Sequence, residues 1–494
     1  MDFIQLARQN PWWTDPAAIG RDRHLRRLAD MPLRWTPPLP FRFDRDAIYT
    51  LRGPRKVGKS TVLKRLVERL IGEKWPTRRI LYVDVELAGI DHQRDLIDAL
   101  RTYLDAVRPP TGEEARYAIV LDEVTHVPSW SGALRALVDS GELEGVTLIA
   151  SGSNAADLRE GGERMPGRRG GGAELDVFLL PLAFREYVQL VRSDLRLPAP
   201  TVDFRPTAVA GTLVERAAIS HILAALFRDY LTTGGFLTAI NDVRTHNAVR
   251  PETFDTYRQA IVGEFTRAGL RESSLREVVA WLTTHLGQEF NPGDIAKDTD
   301  IGSKDTARRY LDHLVDTYVV EIVYRTQHHD KPEPAFRAPR KMHPLDPLHY
   351  HALRGWAAGE PDPWQLAQRV LEDPGPRGHF VESLVLVHLR RAFGERVFYW
   401  RPDKGKEIDA VVFASDRSPF YAEVKYRSRF DARELDELLA VAGGGLVLGI
   451  GENRWRADGR IYELPVPDFL ACLDAPALTT RLGSAGPAPE RAAG

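Results

Sequence analysis

One short segment, residues 53–60, constrains the fold of this chain more than any other feature. It matches the pattern G-x-x-x-x-G-K-[S/T] through Gly53, Pro54, Arg55, Lys56, Val57, Gly58, Lys59 and Ser60, and Thr61 follows. An apolar segment at 47–51 precedes it, and residues 60–70 carry apolar side chains at helical spacing. When strand, glycine loop and helix follow in this order, backbone amides and the helix dipole surround phosphate. We therefore expect residues 53–61 to bind ATP, with Lys59 at the β- and γ-phosphates and Ser60 on Mg²⁺.

An acidic pair supports this prediction. Asp122 ends the buried strand predicted at 117–121, and Glu123 follows it. We expect Asp122 to hold Mg²⁺, directly or through water, and Glu123 to orient and polarise the attacking water. The alternative is a surface acidic pair at a strand end. Together the two motifs predict an enzyme that binds and hydrolyses ATP.

Two further segments offer groups for the γ-phosphate. The strand predicted at 146–150 is followed by three candidates for sensing it, Ser151, Ser153 and Asn154, although this can be a plain turn. The Gly/Arg-rich loop at 161–172 contains Arg164, Arg168 and Arg169. Each is an arginine-finger candidate, in cis or across a homo-oligomer, and each can equally be a solvated surface residue.

The order of elements predicts three domains. Continuous apolar runs at 79–85, 117–121 and 146–150 favour a parallel sheet covered on both faces, which gives an α/β P-loop domain over 1–190. In its N-terminal lead-in, Trp12 and Trp13 either fill a core or close over the adenine. A mostly helical region follows over 191–365. Residues 366–377 suggest a linker, 378–474 a second α/β domain, and the Ala/Gly/Pro-rich segment 479–494 a disordered tail.

The helical region contains a winged-helix pattern. Two short helices around a turn, at 292–297 and 303–311, precede a strand at 319–324. The second helix carries Lys304, Arg308 and Arg309, which can form a groove-reading face for DNA. The alternative is that this module contacts only protein and that the charges are solvated.

Charge and cysteine content exclude several classes of protein. The net charge is −2, so no global field draws the chain to nucleic acid, and any such binding needs local basic patches. The single cysteine, Cys472, excludes disulfides within the chain and multi-cysteine metal sites. There is no apolar run of 18 residues and no signal peptide pattern. We therefore expect a soluble cytoplasmic protein with no membrane partner.

Taken together, these segments resemble the bacterial and archaeal AAA-type ATPases that carry a C-terminal domain of unknown function. The resemblance rests on residues 53–60, 121–124 with 127–130, 151–153, 166–168, 180–186 and 230–236. It spans nearly the whole chain, and the Pro-Leu-x-Phe-x-Glu and Tyr-Leu-x-x-Gly-Gly-Phe patterns are quite specific. It implies an AAA-like ATPase domain, a helical and winged-helix middle region and a nuclease-like C-terminal domain. The long loop at 161–172 departs from the family pattern, and Arg168 fits the family's Gly-Arg position best.

The last predicted domain contains a second candidate site. Glu382 lies on an amphipathic helix predicted at 379–392, Asp409 starts a strand, and Glu423 and Lys425 share one face of the strand predicted at 420–426. This set resembles the PD-(D/E)xK core of restriction-endonuclease-like domains. Asp409 and Glu423 would hold Mg²⁺ against a scissile phosphate, and Lys425 would steer the attacking water or stabilise charge. A strand with alternating charges can also be only a solvated face.

The same alternation places Lys425, Arg427 and Arg429 on one face, where they could track a phosphate backbone together with Lys404 and Lys406. The leading hypothesis is an ATPase module coupled to a Mg²⁺-dependent nuclease that acts on DNA or RNA. The alternative is an ATP-dependent switch whose inactive nuclease-like domain binds nucleic acid or a partner protein. A scaffold that binds but does not hydrolyse nucleotide is disfavoured by Glu123.

Overall fold

The computed structural model describes residues 2–109, 115–152, 175–201, 203–214, 217–402, 405–414 and 418–480. These residues form two compact units, the first from residues 1–180 with the strand at 478–479 and the second from residues 181–477. The second unit contains both the region predicted at 191–365 and the domain predicted at 378–474. Each unit is described by itself.

A six-stranded sheet forms the centre of the first unit, in the order β16-β5-β1-β4-β3-β2. Numbered through the whole chain, its strands are β1 (Ala47–Arg52), β2 (Ile80–Asp84), β3 (Tyr117–Asp122), β4 (Val146–Ser151), β5 (Asp176–Leu179) and β16 (Leu478–Thr479). All neighbours pair in parallel except β16, which pairs with β5 antiparallel. The continuous apolar runs are buried along their full length in β1, β3 and β4, so the predicted parallel sheet is confirmed.

Five described helices belong to this unit. They are α1 (Phe3–Gln9), α2 (Arg23–Ala29), α3 (Lys59–Gly72), α4 (Gln93–Val107) and α5 (Trp130–Asp139). Helix α3 buries Leu63, Leu66 and Leu70, the apolar stripe expected from the sequence. Trp12 and Trp13 are buried in the same core, which confirms the first of the two interpretations of that pair.

The N-terminal segment covers the exposed edge of the sheet. Asn10 uses its side-chain amide to donate to the Tyr82 carbonyl at 2.9 Å and to accept from the Tyr82 amide at 2.7 Å. Gln9 makes the equivalent pair with the backbone of Asp84, at 3.4 and 2.8 Å. The indole nitrogens of Trp12 and Trp13 both donate to the Ile80 carbonyl. Side chains therefore satisfy outward-facing backbone groups of β2 that another strand would otherwise bind.

Most helices of the chain lie in the second unit. They are α6 (Phe184–Val191), α7 (Pro206–Val214), α8 (Ser220–Thr233), α9 (Leu237–His246), α10 (Pro251–Arg267), α11 (Glu272–Thr284), α12 (Pro292–Asp298), α13 (Lys304–Asp316), α14 (Pro347–Ala358), α15 (Pro363–Glu372), α16 (Pro374–Phe393), α17 (Asp436–Ala442) and α18 (Val466–Leu470). Buried residues of α10 to α14 share one core.

Helices α12 and α13 are followed by a long hairpin. Its strands are β6 (Val320–Tyr324), β7 (Thr326–His328), β8 (Lys331–Pro334) and β9 (Arg340–Pro344). Strand β6 pairs antiparallel with β9, and β7 pairs antiparallel with β8. The two helices and the strand predicted here are therefore present.

A second six-stranded sheet has the order β10-β11-β12-β13-β15-β14. Its strands are β10 (Val397–Trp400), β11 (Ile408–Phe413), β12 (Pro419–Lys425), β13 (Gly445–Gly449), β14 (Arg454–Arg456) and β15 (Ile461–Pro465). The strands from β10 to β12 pair antiparallel, those from β12 through β13 to β15 pair in parallel, and β14 pairs antiparallel with β15. Helix α16 precedes this sheet and α17 connects β12 to β13.

The prediction of a linker at 366–377 is wrong. Helix α15 continues to Glu372, and α16 begins at Pro374. Asp373 caps α16 by accepting from the Gly375 amide, and Pro374 occupies the first turn, where no backbone donor is needed. The Asp-Pro-Gly-Pro sequence therefore starts a helix directly after another ends. The predicted tail also begins inside β16, whereas residues 481–494 lie outside the described residues.

The Pro-Leu-x-Phe-x-Glu and Tyr-Leu-x-x-Gly-Gly-Phe segments contact each other in the interior of the second unit. Tyr230 donates its hydroxyl to the Leu182 carbonyl at 2.8 Å, and the Leu182 amide donates to the Gly235 carbonyl at 2.9 Å. A Cβ atom on Gly235 would lie 2.0 Å from the Leu182 carbonyl oxygen. Asp346 accepts from the Gly235 amide at 2.7 Å. These residues therefore act in packing rather than in a surface site. None of the helices in the described part of the chain is long and apolar enough to cross a membrane.

Candidate functional site

The glycine loop has the strand-to-helix geometry that the sequence predicts. It leaves β1 at Arg52 and enters α3 at Lys59. Gly53 has φ of +150° and Gly58 has φ of +110°, and both values favour glycine. A Cβ on Gly53 would lie 1.9 Å from the Leu179 carbonyl oxygen. The first glycine is therefore required by the close approach of β5 as well as by its backbone angle.

Lys59 lies inside this loop. Its side chain is 5% exposed, and Nζ donates to the carbonyl oxygens of Gly53 and Pro54 at 2.9 and 3.0 Å. Burial lowers the pKa of Lys59, and the nearby carboxylates of Glu123 and Asp122 oppose this effect. The ammonium thus holds the loop in shape and lies beside both predicted acidic residues.

Asp122 is fixed by a residue that the sequence analysis did not select. Tyr82, on the neighbouring strand β2, donates its hydroxyl to Asp122 Oδ2 at 2.7 Å. Asp122 is 1% exposed and Tyr82 is 3% exposed. The ammonium of Lys64 lies 3.4 Å from the centre of the Tyr82 ring and 3.4 Å from Asp22 Oδ2. Tyr82 therefore fixes Oδ2 of Asp122, while Oδ1 accepts from the Glu123 amide at 3.2 Å.

Glu123 has an unusual backbone. Its φ and ψ of 51° and 40° place it in the left-handed region, which costs about 1 kcal/mol or more for a residue with a side chain. Such conformations cluster at functional sites because they aim a side chain. Burial raises the pKa of the Glu123 carboxyl, and the charge of Lys59 only partly opposes this rise. A more basic carboxylate is a better acceptor for a proton of water.

Ser151 is the predicted sensing residue that the structure describes. It ends β4, and the pairing registers place it beside Leu51 of β1 and next to the end of β3. Its hydroxyl is fully buried and has no hydrogen-bond partner among the described residues. A buried polar group without a partner requires an explanation, and a phosphate oxygen would supply one. Ser153, Asn154, Arg164, Arg168 and Arg169 lie outside the described residues.

The residues of this loop fit Mg-ATP. The chain provides an amide-lined turn at a helix N-terminus, an ammonium inside it, and an unpartnered hydroxyl at the neighbouring strand end. Ser60 is the second residue of α3. Asp122 ends β3, which lies next to β4 in the sheet. These two oxygen-bearing side chains suit a hard cation.

The second candidate site lies where strand β11 begins and the antiparallel strand β12 ends. Lys425 Nζ lies 2.6 Å from Glu423 Oε2 and 3.8 Å from Asp409 Oδ2. Asp409 Oδ2 also accepts from the Val424 amide at 2.8 Å, which fixes the two strands relative to each other. Burial and the neighbouring Asp409 carboxylate raise the pKa of Glu423 well above its usual range. Three of the four predicted residues thus form one contact group.

Glu382, the fourth predicted residue, belongs to the same cluster through residues that sequence analysis missed. Carboxylate oxygens of Glu382, Glu407 and Asp409 all lie within 4.8 Å of one another. Lys341 of β9 donates to Glu382 Oε1 at 2.9 Å and also to Glu407 Oε1. Burial alone would raise the pKa of Glu382, but the Lys341 ammonium outweighs it and lowers that pKa to about 2. Nothing in the sequence around Lys341 signals this role.

The predicted phosphate-tracking face is wrong. Strand β12 ends at Lys425, and the Arg427 amide already donates to the Lys425 carbonyl in a turn. Arg427 instead pairs with Glu434, and Lys406 Nζ donates to the Arg433 carbonyl. The alternation therefore does not continue past residue 425. Lys404 lies outside the described residues.

Helix α13 does present basic side chains to solvent. Lys304, Arg308 and Arg309 are exposed, whereas Ala307, Tyr310 and Leu311 face the core. The basic residues therefore lie on the solvent-facing side of this helix.

Comparison with known families agrees with the first site. Residues 45–188 match a family described as an AAA domain. Residues 224–360 and 377–469 match two families described only as domains of unknown function, DUF8612 and DUF4143. A search of curated proteins gives no match.

Solved structures with some similarity include the ORC1 protein of Aeropyrum pernix in complex with DNA, at 17% identity and a TM-score of 0.27, over 73% of this chain and 98% of that one. A RuvB variant of Thermotoga maritima has 15% identity and a TM-score of 0.23, over 66% and 90%. The domain match and the geometry of residues 53–60, taken together, support an AAA-type P-loop ATPase domain in the first unit.

Proposed function

We propose that the chain is an ATP-hydrolysing enzyme whose ATPase module is coupled to a nuclease-like domain, in the second unit, that acts on DNA or RNA. The observation that supports hydrolysis most strongly is Glu123, a half-buried residue in a left-handed backbone conformation next to Asp122 and Lys59. A protein that only bound nucleotide would not need a strained acidic residue at this position. The match of residues 45–188 to an AAA domain agrees with this role.

Each residue of the site has a separate part in the reaction. When ATP binds, Lys59 gives up a hydrogen bond to a loop carbonyl and donates to a phosphate oxygen instead. Its positive charge offsets the negative charge of the γ-phosphoryl group. Glu123 accepts a hydrogen bond from water, which attacks the γ-phosphorus as the bond to the β,γ-bridging oxygen breaks. Ser60 and Asp122 would hold Mg²⁺, which neutralises charge on the β- and γ-phosphates. Ser151 donates its hydroxyl to a γ-phosphate oxygen.

Two substitutions test the ATPase. We expect Lys59→Ala to lose ATP affinity, measured with a fluorescent ATP analogue, and to lose turnover with it. We expect Glu123→Gln to keep ATP affinity but to lower kcat by about a hundredfold or more, since it removes only an interaction of the transition state. Turnover in Glu123→Gln equal to that of the unaltered protein would contradict the proposed water-positioning role.

The second unit supports a nuclease-like fold. Helix α16, the antiparallel strands β10 to β12, helix α17 and the parallel strand β13 follow in the order of a PD-(D/E)xK core. The predicted residues Glu382, Asp409, Glu423 and Lys425 lie in or at the edge of one cluster. We propose that this cluster acts on a phosphodiester backbone in DNA or RNA, with ATP turnover controlling its access.

The second candidate is a switch with an inactive nuclease-like domain. The observation that favours it is that Lys341 already pairs with Glu382 and Glu407, two of the carboxylates available to a metal. Cleavage of supercoiled DNA, single-stranded DNA and RNA with Mg²⁺ or Mn²⁺, with and without ATP, separates the two. Cleavage that is lost in Lys425→Ala supports the nuclease. Intact ATPase activity without cleavage on any substrate supports the switch.

Helices α12 and α13 with the β6–β9 hairpin support a winged helix that contacts nucleic acid. The exposed side chains of Lys304, Arg308 and Arg309 provide the positive charge that phosphates require. The triple substitution of these residues to Ala should weaken DNA binding in fluorescence anisotropy and reduce its dependence on salt. A triple substitution of Arg26, Arg27 and Arg78, basic residues of the first unit, is the matched control. Equal affinity in both variants would contradict this assignment.

A further inference from the structure

We propose that Lys341 is a built-in cation that closes a divalent-metal site formed by Glu382, Glu407 and Asp409. The proposal rests on the proposed role of the second unit and goes further, because it names Lys341 and Glu407 and a means of control. Neither residue belongs to the PD-(D/E)xK pattern.

The three carboxylates have a spacing that a small divalent ion could use. One oxygen of each lies within 4.8 Å of the others. Ligand oxygens around Mg²⁺ at about 2.1 Å are separated by roughly 3 to 4 Å in an octahedron. A closure of about 1 Å between side chains would therefore complete three ligands on one ion. The cluster is mostly buried, and such a concentration of negative charge needs a cation.

Lys341 supplies this cation from within the chain. Its side chain is 3% exposed, and Nζ donates to Oε1 of both Glu382 and Glu407. It also lies 5.4 Å from the centre of the Tyr399 ring, which further stabilises the charge. An ion bound by Glu382 and Glu407 would need the same oxygens and would suffer repulsion from the ammonium. Lys341 and the ion therefore exclude each other.

The neighbouring charges leave this position open when Lys341 withdraws. Arg401 pairs with Oε2 of Glu407 at 2.9 Å, on the oxygen that Lys341 does not use. Lys425 lies 3.8 Å from Asp409 Oδ2, and His379 lies 3.9 Å from Glu382 Oε2. Each carboxylate thus keeps one basic neighbour outside the position of the ammonium. Removal of Lys341 would leave a site that still carries negative charge, with a basic side chain beside each carboxylate.

Strand β9 fixes Lys341 beside the carboxylates. It pairs with β6 in a two-stranded ribbon, and Arg340 exchanges two backbone hydrogen bonds of 3.0 Å with Phe290. Two side chains of β9 contact α16: Lys341 through Glu382, and His343 through Ser383 Oγ at 2.9 Å.

The test is Mn²⁺ binding to the full-length, nucleotide-free protein, measured by electron paramagnetic resonance of the free ion. We compare the unaltered protein with Lys341→Met, which keeps the length of the side chain but removes its charge. Lys331→Met is the matched control, because Lys331 is exposed on the same hairpin. Mn²⁺ bound at the P-loop is common to all three, so only the difference in bound Mn²⁺ is used.

We expect Lys341→Met to gain one Mn²⁺ with at least about tenfold higher affinity than the unaltered protein, and Lys331→Met to gain none. The gain should disappear in Lys341→Met with Asp409→Asn. Mn²⁺ should also raise the Tm of Lys341→Met but not that of the unaltered protein. A folded Lys341→Met that gains no ion would overturn the proposal. So would an Asp409-dependent Mn²⁺ in the unaltered protein that binds as tightly as in the variant.

A second variant covers the case in which Lys341→Met does not fold. Lys341→Met with Glu407→Gln removes one positive and one negative charge together, and leaves Glu382 and Asp409 as ligands. We expect it to fold and to bind Mn²⁺ more tightly than the unaltered protein. No gain in this variant would overturn the proposal. The titration needs neither ATP nor nucleic acid, so a protein that gains Mn²⁺ yet never cleaves would refute the nuclease and still support the exclusion of the metal by Lys341.

Discussion

Tyr82→Phe is the substitution that isolates one contact of the nucleotide site. It removes the hydroxyl that donates to Asp122 Oδ2 at 2.7 Å and retains the ring. The ring keeps its contact with the Lys64 ammonium, 3.4 Å from its centre. Both Tyr82 and Asp122 are buried, so water does not readily replace the lost donor. Asp122 would then keep only the longer hydrogen bond from the Glu123 amide to Oδ1, at 3.2 Å, and would be held less firmly at the position where it should hold Mg²⁺.

The size of the effect follows from the type of hydrogen bond. A hydrogen bond to a charged group contributes roughly 1.5–3 kcal/mol net, and about 1.4 kcal/mol corresponds to a tenfold change in an equilibrium. Part of this loss will lower the free energy of unfolding. If Mg²⁺ binding weakens by the smaller value of this range, the Mg²⁺ concentration for half-maximal ATPase activity rises about tenfold. At saturating Mg²⁺, kcat should stay within about threefold, because Glu123 and Lys59 are unchanged.

The assay is ATPase rate against free Mg²⁺ at saturating ATP. Tyr103→Phe is the matched control, since it removes an equally buried hydroxyl that donates to the Arg78 carbonyl at 2.9 Å. The control should lose stability but keep the Mg²⁺ dependence of the unaltered protein. If both variants show the same Mg²⁺ dependence, Tyr82 does not position Asp122, and the reasoning fails.

Three other substitutions test the fold around these sites. Gly53→Ala would place Cβ 1.9 Å from the Leu179 carbonyl oxygen, so it should abolish ATP binding, whereas Gly72→Ala, with no atom within 4 Å of its Cβ, should not. Asn10→Ala loses two hydrogen bonds to the backbone of β2 and should lower the free energy of unfolding by about 1–3 kcal/mol in urea denaturation. Burial raises the pKa of Asp346 to about 7. The folded state therefore binds more protons than the unfolded state between about pH 4 and 7, and stability should fall by roughly 1.4 kcal/mol per pH unit as pH rises through that window. Urea denaturation of Asp346→Asn should lack this slope, and an unchanged slope would contradict it.

The nucleotide site could be predicted from sequence because its signals are local. Residues 53–60 lie within one loop, and Asp122 and Glu123 are adjacent at the end of a continuous apolar strand. The parallel sheet follows from the same apolar runs. Tyr82 could not be identified, because in sequence it is one more apolar-compatible residue of a buried strand. Its role depends on the pairing of β2 with β3, 40 residues later.

The carboxylate cluster, too, could be predicted from sequence only in part. Asp409, Glu423 and Lys425 lie on adjacent strands close in sequence, and their grouping could be predicted. Lys341 contacts Glu382 and Glu407 across separations of 41 and 66 residues, so only tertiary structure brings them together. The wrong prediction of a linker at 366–377 has a different cause. A proline after aspartate is a sign of a helix start as well as of a break, and the sequence alone does not decide between them.

The way in which α1 and the two tryptophans cover β2 has a consequence for how copies of this protein can associate. Backbone groups of Ile80, Tyr82 and Asp84 that point outward are already engaged by side chains of residues 9–13. A neighbouring chain therefore cannot extend this sheet by adding a strand at β2 unless it first displaces the N-terminal segment. A ring or dimer that forms at this edge of the ATPase domain must then use side-chain surfaces, and such an interface can change without breaking the pairing of β2 with β3, the strand that ends in Asp122.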